Sequence, residues 1–458
     1  MKLKVGLLLV PEKSLNEAVE VLREKAQALK EVGCRLLVAP EGFLSWGEKR
    51  KMNRKVPKEE AWGHLKEVAT QTGIALACGY QTPKGGELML WYDPVTGIER
   101  EYRKHSMSAK REMAPNQEDW ETEMERYLFT IPLDGWQVNP QICHDLSMPF
   151  LPEAAESLNG TDIDILLNIS GSNVIWEKWA TYLQARAVQL NAHVLCCMHH
   201  NHWESNAGMA AHFTPFGERR LLRLSDGKRM WSREIWQWAK QKGEVCEVFV
   251  AELEKPIQSE GEWEDVKKAY SQQTRTKSKG EKLTMGVETG DLQVRLEGDR
   301  LKINEAEIKC GEAQILTVKG HRLIVCHLLR EQLPAPTPLW QLLVRPEHDA
   351  ADGFLAIYTT TENQRLEPKE LCLLAARAME ARIAVAVLSP EGINELMVTT
   401  RYRIAKRLAP TSGNVFELPL QRMRGPQSLY RDNDTYPALD KVRRLLERIA
   451  KPSKQLTT

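Results

Sequence analysis

Residues 4–41 read KVGLLLVPEKSLNEAVEVLREKAQALKEVGCRLLVAPE, and this stretch decides the fold of the N-terminal half. The apolar run KVGLLLV predicts a strand, and the apolar residues from Leu15 onward recur at helical spacing. Gly33 ends the predicted helix, and CRLLVAP predicts a second strand. A strand, a helix and another strand in succession predict a layered α/β domain.

The same alternation continues to about residue 255. IALACGYQ, GWQVNPQIC and DIDILLNIS predict further strands, and ELMLWYDPVTGIEREYRK predicts two strands joined by a turn at DPVTG. We therefore assign residues 1–255 to a first domain. Residues 256–282 are polar and predict a linker, residues 283–450 predict a smaller α/β domain, and residues 451–458 predict a flexible tail.

Composition argues against several classes of protein. Lys and Arg total 63 against 62 for Asp and Glu, so charge gives no reason to expect a nucleic acid or an anionic membrane as a partner. No run approaches the ~20 apolar residues that span a bilayer. Most of the nine cysteines lie in apolar, strand-like runs, which favours a soluble cytoplasmic protein with reduced thiols.

Three reactive side chains follow predicted strands, namely Glu41, Lys104 and Cys143. Open α/β sheets bind ligands at the carboxyl ends of their strands, so these side chains are candidates for one site. A thiol is a weak nucleophile until it is ionised, and a carboxylate can accept its proton while a cation stabilises the negative charge that forms. Together they could supply the nucleophile, base and electrostatic clamp for attack on a carbonyl or nitrile carbon.

The segments LLVAPEGF, WYDPVTGIEREYRKHSM and QICHDLSMP resemble motifs of the nitrilase superfamily, the carbon–nitrogen hydrolases. The resemblance covers about residues 1–255, and its elements occur in the family order. It implies a four-layer α-β-β-α sandwich in which Glu41 is the general base, Lys104 stabilises the oxyanion and Cys143 is the nucleophile. It also implies a homo-oligomer, a dimer or larger, that needs no cofactor.

The resemblance implies further site residues. A second glutamate would be Glu112, eight residues after Lys104, although several neighbours remain alternatives: Glu118, Glu121, Glu123 and Glu125. The backbone N–H of His144 would complete the oxyanion hole. Substrate contacts would come from Ser170 and Asn173 of the SGSN turn and from His199, with His200 and His202 as alternatives. An ordinary strand-to-helix loop explains the SGSN turn equally well.

Two rival sites are weaker. CCMHHNHW, residues 196–203, concentrates metal-ligand residue types, but no second ligand pair elsewhere completes a zinc site, so we predict no metal. His144 and Asp145 adjoin Cys143, but neighbours in sequence usually point apart, so we expect Asp145 to cap the following turn rather than complete a triad.

An internal repeat links the two halves. LQARAVQLNAHVLCC, residues 183–197, parallels LAARAMEARIAVAVL, residues 374–388, and an apolar run ending in Cys-His precedes each one. The C-terminal domain is therefore predicted to be a degenerate nitrilase-like repeat in which Cys326 mirrors Cys143. Because Cys326 lacks the lysine and glutamate motifs, we expect no chemistry there, and the domain could cover the site, build an oligomer or hold a protein partner.

The predicted function is cleavage of a small-molecule amide or nitrile, other than a peptide, through a cysteine thioester. Two alternatives act with a partner protein, namely an ammonia-supplying glutaminase and an acyltransferase. The segment LLNISGSN resembles the pocket strand of the glutaminase domains. A third alternative is a pseudoenzyme that keeps the fold as a binding scaffold.

Overall fold

A computed structural model describes most of the chain, in the following ranges: 1–45, 56–83, 86–106, 126–171, 175–200, 208–242, 244–259, 261–274, 281–361, 364–399, 404–411, 414–426 and 439–450. The chain forms two compact units. The first consists of Met1–Trp179 and Arg186–Glu262, and the second of Ala180–Ala185 and Trp263–Thr458. No helix in these ranges is both long and apolar enough to cross a membrane.

The N-terminal unit contains two sheets. Its strands are β1 (Lys2–Leu9), β2 (Leu36–Val38), β3 (Ala75–Gln81), β4 (Glu87–Tyr92), β5 (Glu99–Arg103), β6 (Ile131–Leu133), β7 (Trp136–Ile142), β8 (Ile165–Ser170), β9 (His193–Met198), β10 (Ala210–Thr214), β11 (Gly217–Glu218), β12 (Leu221–Arg223), β13 (Arg229–Met230) and β14 (Glu247–Glu254). Its helices are α1 (Leu15–Glu31), α2 (Lys58–Thr72), α3 (Phe150–Asn159), α4 (Trp176–Leu190) and α5 (Ser232–Gln241). One sheet has the order β13-β12-β14-β1-β2-β3-β4-β5 and the other β11-β10-β9-β8-β7-β6.

The first strand, helix and strand form as the sequence predicts. Ser14 and Glu17 make a capping box that starts α1, and Gly33 follows the helix with a positive φ of 75°. The apolar face of α1, including Leu22 and Leu29, is buried against the sheet. Burial of this face orients β1 and β2, which then pair in parallel.

The two sheets pack face to face with helices outside them. Helices α1 and α2 cover the outer face of the eight-stranded sheet. Between the sheets, the Cys197 thiol of β9 donates to the carbonyl oxygen of Leu8 in β1 at 2.9 Å. On the opposite face of β9, the Cys196 thiol lies near Trp179 of α4. The predicted α-β-β-α sandwich is confirmed.

The C-terminal unit is rich in strands. These are β15 (Lys282–Gly286), β16 (Leu292–Glu297), β17 (Arg300–Ile303), β18 (Ala306–Lys309), β19 (Ala313–Val318), β20 (His321–Leu329), β21 (Gly353–Thr359), β22 (Ala384–Ser389), β23 (Gly392–Thr399), β24 (Ala405–Arg407) and β25 (Phe416–Pro419). Its helices are α6 (Glu264–Tyr270), within the segment predicted as a linker, then α7 (Pro336–Leu343), α8 (Pro368–Ala381) and α9 (Leu439–Ala450). A five-stranded sheet, β18-β17-β16-β15-β25, and a six-stranded sheet, β19 to β24 in sequence order, share one apolar core.

The six-stranded sheets of the two units have the same topology. In each, an antiparallel first pair leads into three parallel strands and then two antiparallel strands. Helices α3 and α4 connect the parallel strands of the first unit, and α7 and α8 connect those of the second. This shared order is the structural counterpart of the repeat seen in the sequence.

Two buried arginines define how the two sheets correspond. Arg186 in α4 donates through Nε to the carbonyl oxygen of Leu146 at 3.3 Å. Arg377 in α8 donates through Nε to the carbonyl oxygen of Leu333, also at 3.3 Å. Leu146 and Leu333 each lie in or beside the short 3-10 turn that follows the first parallel strand, so the two turns occupy equivalent positions.

This correspondence aligns Cys143 with Arg330, since each lies three residues before the carbonyl that binds the arginine. The prediction that Cys326 mirrors Cys143 is therefore wrong. Strand β20 continues to Leu329 before the chain turns, and Cys326 lies inside it, fully buried. Arg330 is held in its turn by hydrogen bonds of 2.7 and 2.8 Å to Glu370.

The buried Arg377–Glu380 pair should be important for the stability of the C-terminal unit. Both side chains are fully buried, and Nη1 lies 2.7 Å from Oε2. Arg377→Met should lower the free energy of unfolding by about 3–5 kcal/mol, because it leaves a carboxylate buried without its cation. Urea denaturation should give a smaller loss for the double variant Arg377→Met/Glu380→Gln. Equal losses in the two variants would contradict this explanation.

Candidate active site

Glu41 lies in the turn after β2, against the backbone of β3. A Cβ atom at Gly79 of β3 would lie 2.5 Å from the Glu41 Cα and 2.3 Å from the Pro40 oxygen, so only glycine allows this approach. The backbone N–H of Gly171, at the end of β8, donates to Glu41 Oε2 at 2.6 Å. The Glu41 carboxylate is thus held between the ends of strands from both sheets.

Lys104 directly follows β5, and its backbone N–H donates to the Glu87 carbonyl at 3.0 Å, continuing the β4–β5 ladder. Its Nζ lies 2.7 Å from Glu41 Oε1 and also forms an ion pair with the carboxylate of Glu87. The three side chains are buried, with exposed fractions of 2% for Lys104, 4% for Glu41 and 5% for Glu87. Glu87 was not among the site residues predicted from the sequence.

Cys143 follows β7 with a φ of 50°, in the left-handed region that non-glycine residues seldom adopt. Holding an L-residue there costs roughly 1–2 kcal/mol, and such strain is often found at functional sites. The Cys143 thiol is buried, and it lies close enough to the Glu41 carboxylate for that group to raise the pKa of the thiol. Its Sγ also lies 3.3 Å from Nδ1 of His144. The structure therefore brings Glu41, Lys104 and Cys143 together.

The carboxylate of Asp145 ties the turn after β7 to the segment that carries Lys104. It accepts hydrogen bonds from the following groups: Ile142 N at 3.2 Å, Tyr102 Oη at 2.9 Å, His105 N at 3.0 Å and Ser106 N at 2.6 Å. The bond from Ile142 is made from within the turn Cys143–Ser147, whereas the sequence predicted that Asp145 would cap a turn that follows it. The other three fix the turn against β5, which sets the position of Cys143 relative to Lys104.

Burial and charge determine the protonation states in this cluster. Burial raises the pKa of the Cys143 thiol well above its ordinary value, and the charges of Glu41 and Glu87 raise it further against the opposing effect of Lys104. Burial also opposes ionisation of Glu41, but the charge of Lys104 and the hydrogen bonds that Lys104 and Gly171 donate outweigh it, so its pKa lies below the ordinary value. At neutral pH the cluster contains a neutral thiol beside a carboxylate.

The pKa of Asp145 shifts in the opposite direction to the pKa of Glu41. Complete burial raises its pKa to about 6, although the charge of Lys104 and hydrogen bonds from Ser106 and Tyr102 oppose the rise. Asp145 is therefore ionised at neutral pH and able to accept its four hydrogen bonds.

The remaining predicted site residues have varied surroundings. The Ser170 hydroxyl donates to Asn168 Oδ1 at 2.8 Å, and it is the next residue, Gly171, that contacts Glu41. His199 is buried, with Nδ1 3.1 Å from the carbonyl oxygen of Val10. Glu112 and its alternatives Glu118, Glu121, Glu123 and Glu125, together with Asn173 and His202, lie outside the described residues. Within the described ranges, no group of three His, Cys, Asp or Glu side chains could hold a metal ion.

A family model described as carbon-nitrogen hydrolase matches residues 10–217. Residues 10–217 of the N-terminal unit therefore form a carbon–nitrogen hydrolase domain. The sequence has no significant match among curated proteins.

Solved structures of an amidase from Nesterenkonia sp. AN1 are similar to part of this chain. A mutant with acrylamide added to its active-site cysteine is 17% identical, with 55% of this chain and 93% of that chain covered and a TM-score of 0.41. A cysteine-to-serine mutant, described as a nitrilase-superfamily amidase, is 17% identical, with coverages of 55% and 92% and a TM-score of 0.41.

Glu87 could have been identified from the sequence of this carbon–nitrogen hydrolase domain. The turn at DPVTG fixes the β4–β5 register, which pairs Tyr92 with Glu99 and Leu88 with Arg103. The next pair along the ladder is Glu87 with Lys104. The contact between Gly171 and Glu41 had no such signal, because it joins strands of different sheets.

Replacing Asp145 should destabilise the domain. Asp145→Asn should lower the free energy of unfolding by about 2–4 kcal/mol, because an amide cannot accept all four hydrogen bonds and its NH2 group would face backbone N–H donors. Asp162→Asn, at an exposed position, is the matched control and should change stability by less than about 0.5 kcal/mol. Urea unfolding measures both. A loss for Asp145→Asn no larger than that of the control would argue against the tie between the two segments.

Proposed function

We propose that the N-terminal domain hydrolyses a small non-peptide amide or nitrile through a thioester on Cys143. The observation that carries this proposal is a buried cluster in which the Cys143 thiol lies near Glu41, a carboxylate that also binds Lys104. A neutral thiol beside an ionised Glu41 is suited to proton transfer that accompanies attack on a carbon atom. The family match supports this reaction class, and the geometry supports these roles for Glu41, Lys104 and Cys143.

In the first half-reaction, the thiol proton moves to Glu41 as the Cys143 sulfur attacks the amide carbon. The carbonyl oxygen takes up the negative charge, and the ammonium of Lys104 and the backbone N–H of His144 stabilise it. Glu41 then gives its proton to the leaving nitrogen, the carbon–nitrogen bond breaks, and ammonia or an amine departs. The acyl group remains on sulfur as a thioester.

In the second half-reaction, Glu41 accepts a proton from water as the water oxygen attacks the thioester carbon. The oxyanion forms again beside Lys104. The carbon–sulfur bond then breaks, the sulfur regains a proton from Glu41, and the carboxylic acid leaves. Every proton in this cycle passes through Glu41, so the mechanism needs no metal or cofactor.

For the C-terminal unit, we propose that the repeat has no chemistry of its own. The position equivalent to Cys143 holds Arg330, and its guanidinium is paired with Glu370. A guanidinium cannot act as a nucleophile, since it is protonated at all ordinary pH values. We propose that this unit serves instead in the assembly of a homo-oligomer or in binding a protein partner.

Intact-mass analysis tests the proposed chemistry. Incubation with a panel of short amides, glutamine and nitriles should add an acyl group to the wild type and none to Cys143→Ala. Cys326→Ala is the matched control and should keep the adduct, because Cys326 is buried inside β20. An adduct that persists in Cys143→Ala would contradict the assignment, and the absence of any adduct would favour a binding scaffold.

The released product separates the enzymatic alternatives in the same experiment. A hydrolase releases acid and ammonia with water as the only acceptor. An acyltransferase releases its product only when a second nucleophile is added, and an ammonia-supplying glutaminase is distinguished by a requirement for glutamine.

Activity should fall as the pH decreases through about 6. Protonated Asp145, whose pKa burial raises to about 6, can no longer accept all of its hydrogen bonds, so Cys143 and Lys104 lose their alignment. The pKa of Glu41 lies below its ordinary value, so Glu41 stays ionised over this range. The measurement is kcat/KM between about pH 4 and 8, with circular dichroism as a check on folding. A single acidic midpoint near pH 4 or below would contradict the role of Asp145.

A further inference from the structure

Glu87 lies beside the proposed catalytic groups but takes no part in the proposed proton transfers. It begins β4, and its carboxylate forms an ion pair with the Lys104 ammonium. The carboxylate of Glu41 binds the same ammonium at 2.7 Å. The Lys104 ammonium is therefore buried between two carboxylates, a more costly arrangement than a single ion pair because two anions are removed from water.

Two carboxylates fix the orientation of an ammonium in a way that one cannot. With a single hydrogen bond, the –NH3⁺ group and its four-carbon side chain can still swing about that contact. With two N–H directions held by Glu41 and Glu87, tetrahedral geometry determines the direction of the rest of the group. A second contact therefore sets the position of the positive charge relative to Cys143.

The second carboxylate also has a role when a proton moves. Once Glu41 takes the thiol proton, it is neutral and its attraction for Lys104 weakens. We propose that Glu87 is a positioning residue for the hydrolysis: its carboxylate fixes the orientation of the Lys104 ammonium and keeps it charged while Glu41 carries the thiol proton. This role rests on the proposed function, since it concerns the steps in which Glu41 is protonated.

Glu87 has an opposite effect on the nucleophile. Its negative charge adds to burial and to Glu41 in raising the pKa of the Cys143 thiol. Glu87 therefore hinders thiolate formation, and its benefit to the reaction must come through Lys104. Removal of the charge should make the thiol more acidic while it slows turnover, a pair of effects that a purely structural role would not produce.

Glu87→Gln tests the proposal, because it keeps the size and one acceptor oxygen but removes the charge. We expect kcat to fall by about 10- to 100-fold, as is common for a misplaced catalytic group, with KM changed less than about threefold. Iodoacetamide labelling of Cys143, followed by peptide mass, should show its apparent pKa shifted to lower pH by at least about half a unit. Glu99→Gln, on the exposed part of the same hairpin, is the matched control and should change neither quantity.

Glu87→Asp keeps the charge on a shorter side chain. It serves as a control that distinguishes loss of the charge from a folding defect in Glu87→Gln. It should keep a labelling profile near that of the wild type and recover part of the lost kcat. An unchanged labelling profile and unchanged kcat in Glu87→Gln would overturn the proposal. A labelling shift in a protein that turns over no amide or nitrile would contradict the hydrolase and support the electrostatic coupling of Glu87 to Cys143, so the two failures are distinguishable.

Discussion

The carboxylate of Asp145 is the contact on which the arrangement of the site depends. Cys143 and Lys104 lie on strands of different sheets, and nothing local in either strand sets the distance between them. Asp145 accepts hydrogen bonds from backbone N–H groups of both segments, which fixes the position of one strand end relative to the other. The same carboxylate caps the turn in which Cys143 has its strained backbone, and the cap helps to hold that strain.

The buried charges around Lys104 are easier to explain by function than by stability. A buried ammonium flanked by two carboxylates is difficult to justify by stability alone, because apolar residues of similar volume often stabilise a protein as well or better. Its value lies in a positive charge that is already oriented beside the thiol. Reorganisation of that charge during a reaction would add to the barrier, and a preorganised site avoids this addition.

Much of this fold follows from the sequence, because strand and helix periods determine which elements form and in what order. The registers of contacts between elements are harder to obtain. The hairpin register that pairs Glu87 with Lys104 could have been predicted by counting residues outward from the turn. The hydrogen bonds that Asp145 accepts from a segment of the other sheet have no local signal in the sequence. In the C-terminal unit, the repeated Cys-His pair suggested Cys326 as the equivalent of Cys143. The strand there ends at Leu329, four residues later than that equivalence requires, so Arg330 occupies the position instead.

A crystal structure of the Glu41→Gln variant soaked with a short primary amide would test most directly whether these side chains form one acyl-transfer site. Loss of the proposed base should slow the reaction enough to retain the bound species. The predicted result is an amide or acyl carbon in contact with Cys143 Sγ, with its oxygen within hydrogen-bond distance of Lys104 Nζ. An amide bound away from Cys143, or an oxygen directed away from Lys104, would contradict the proposed chemistry.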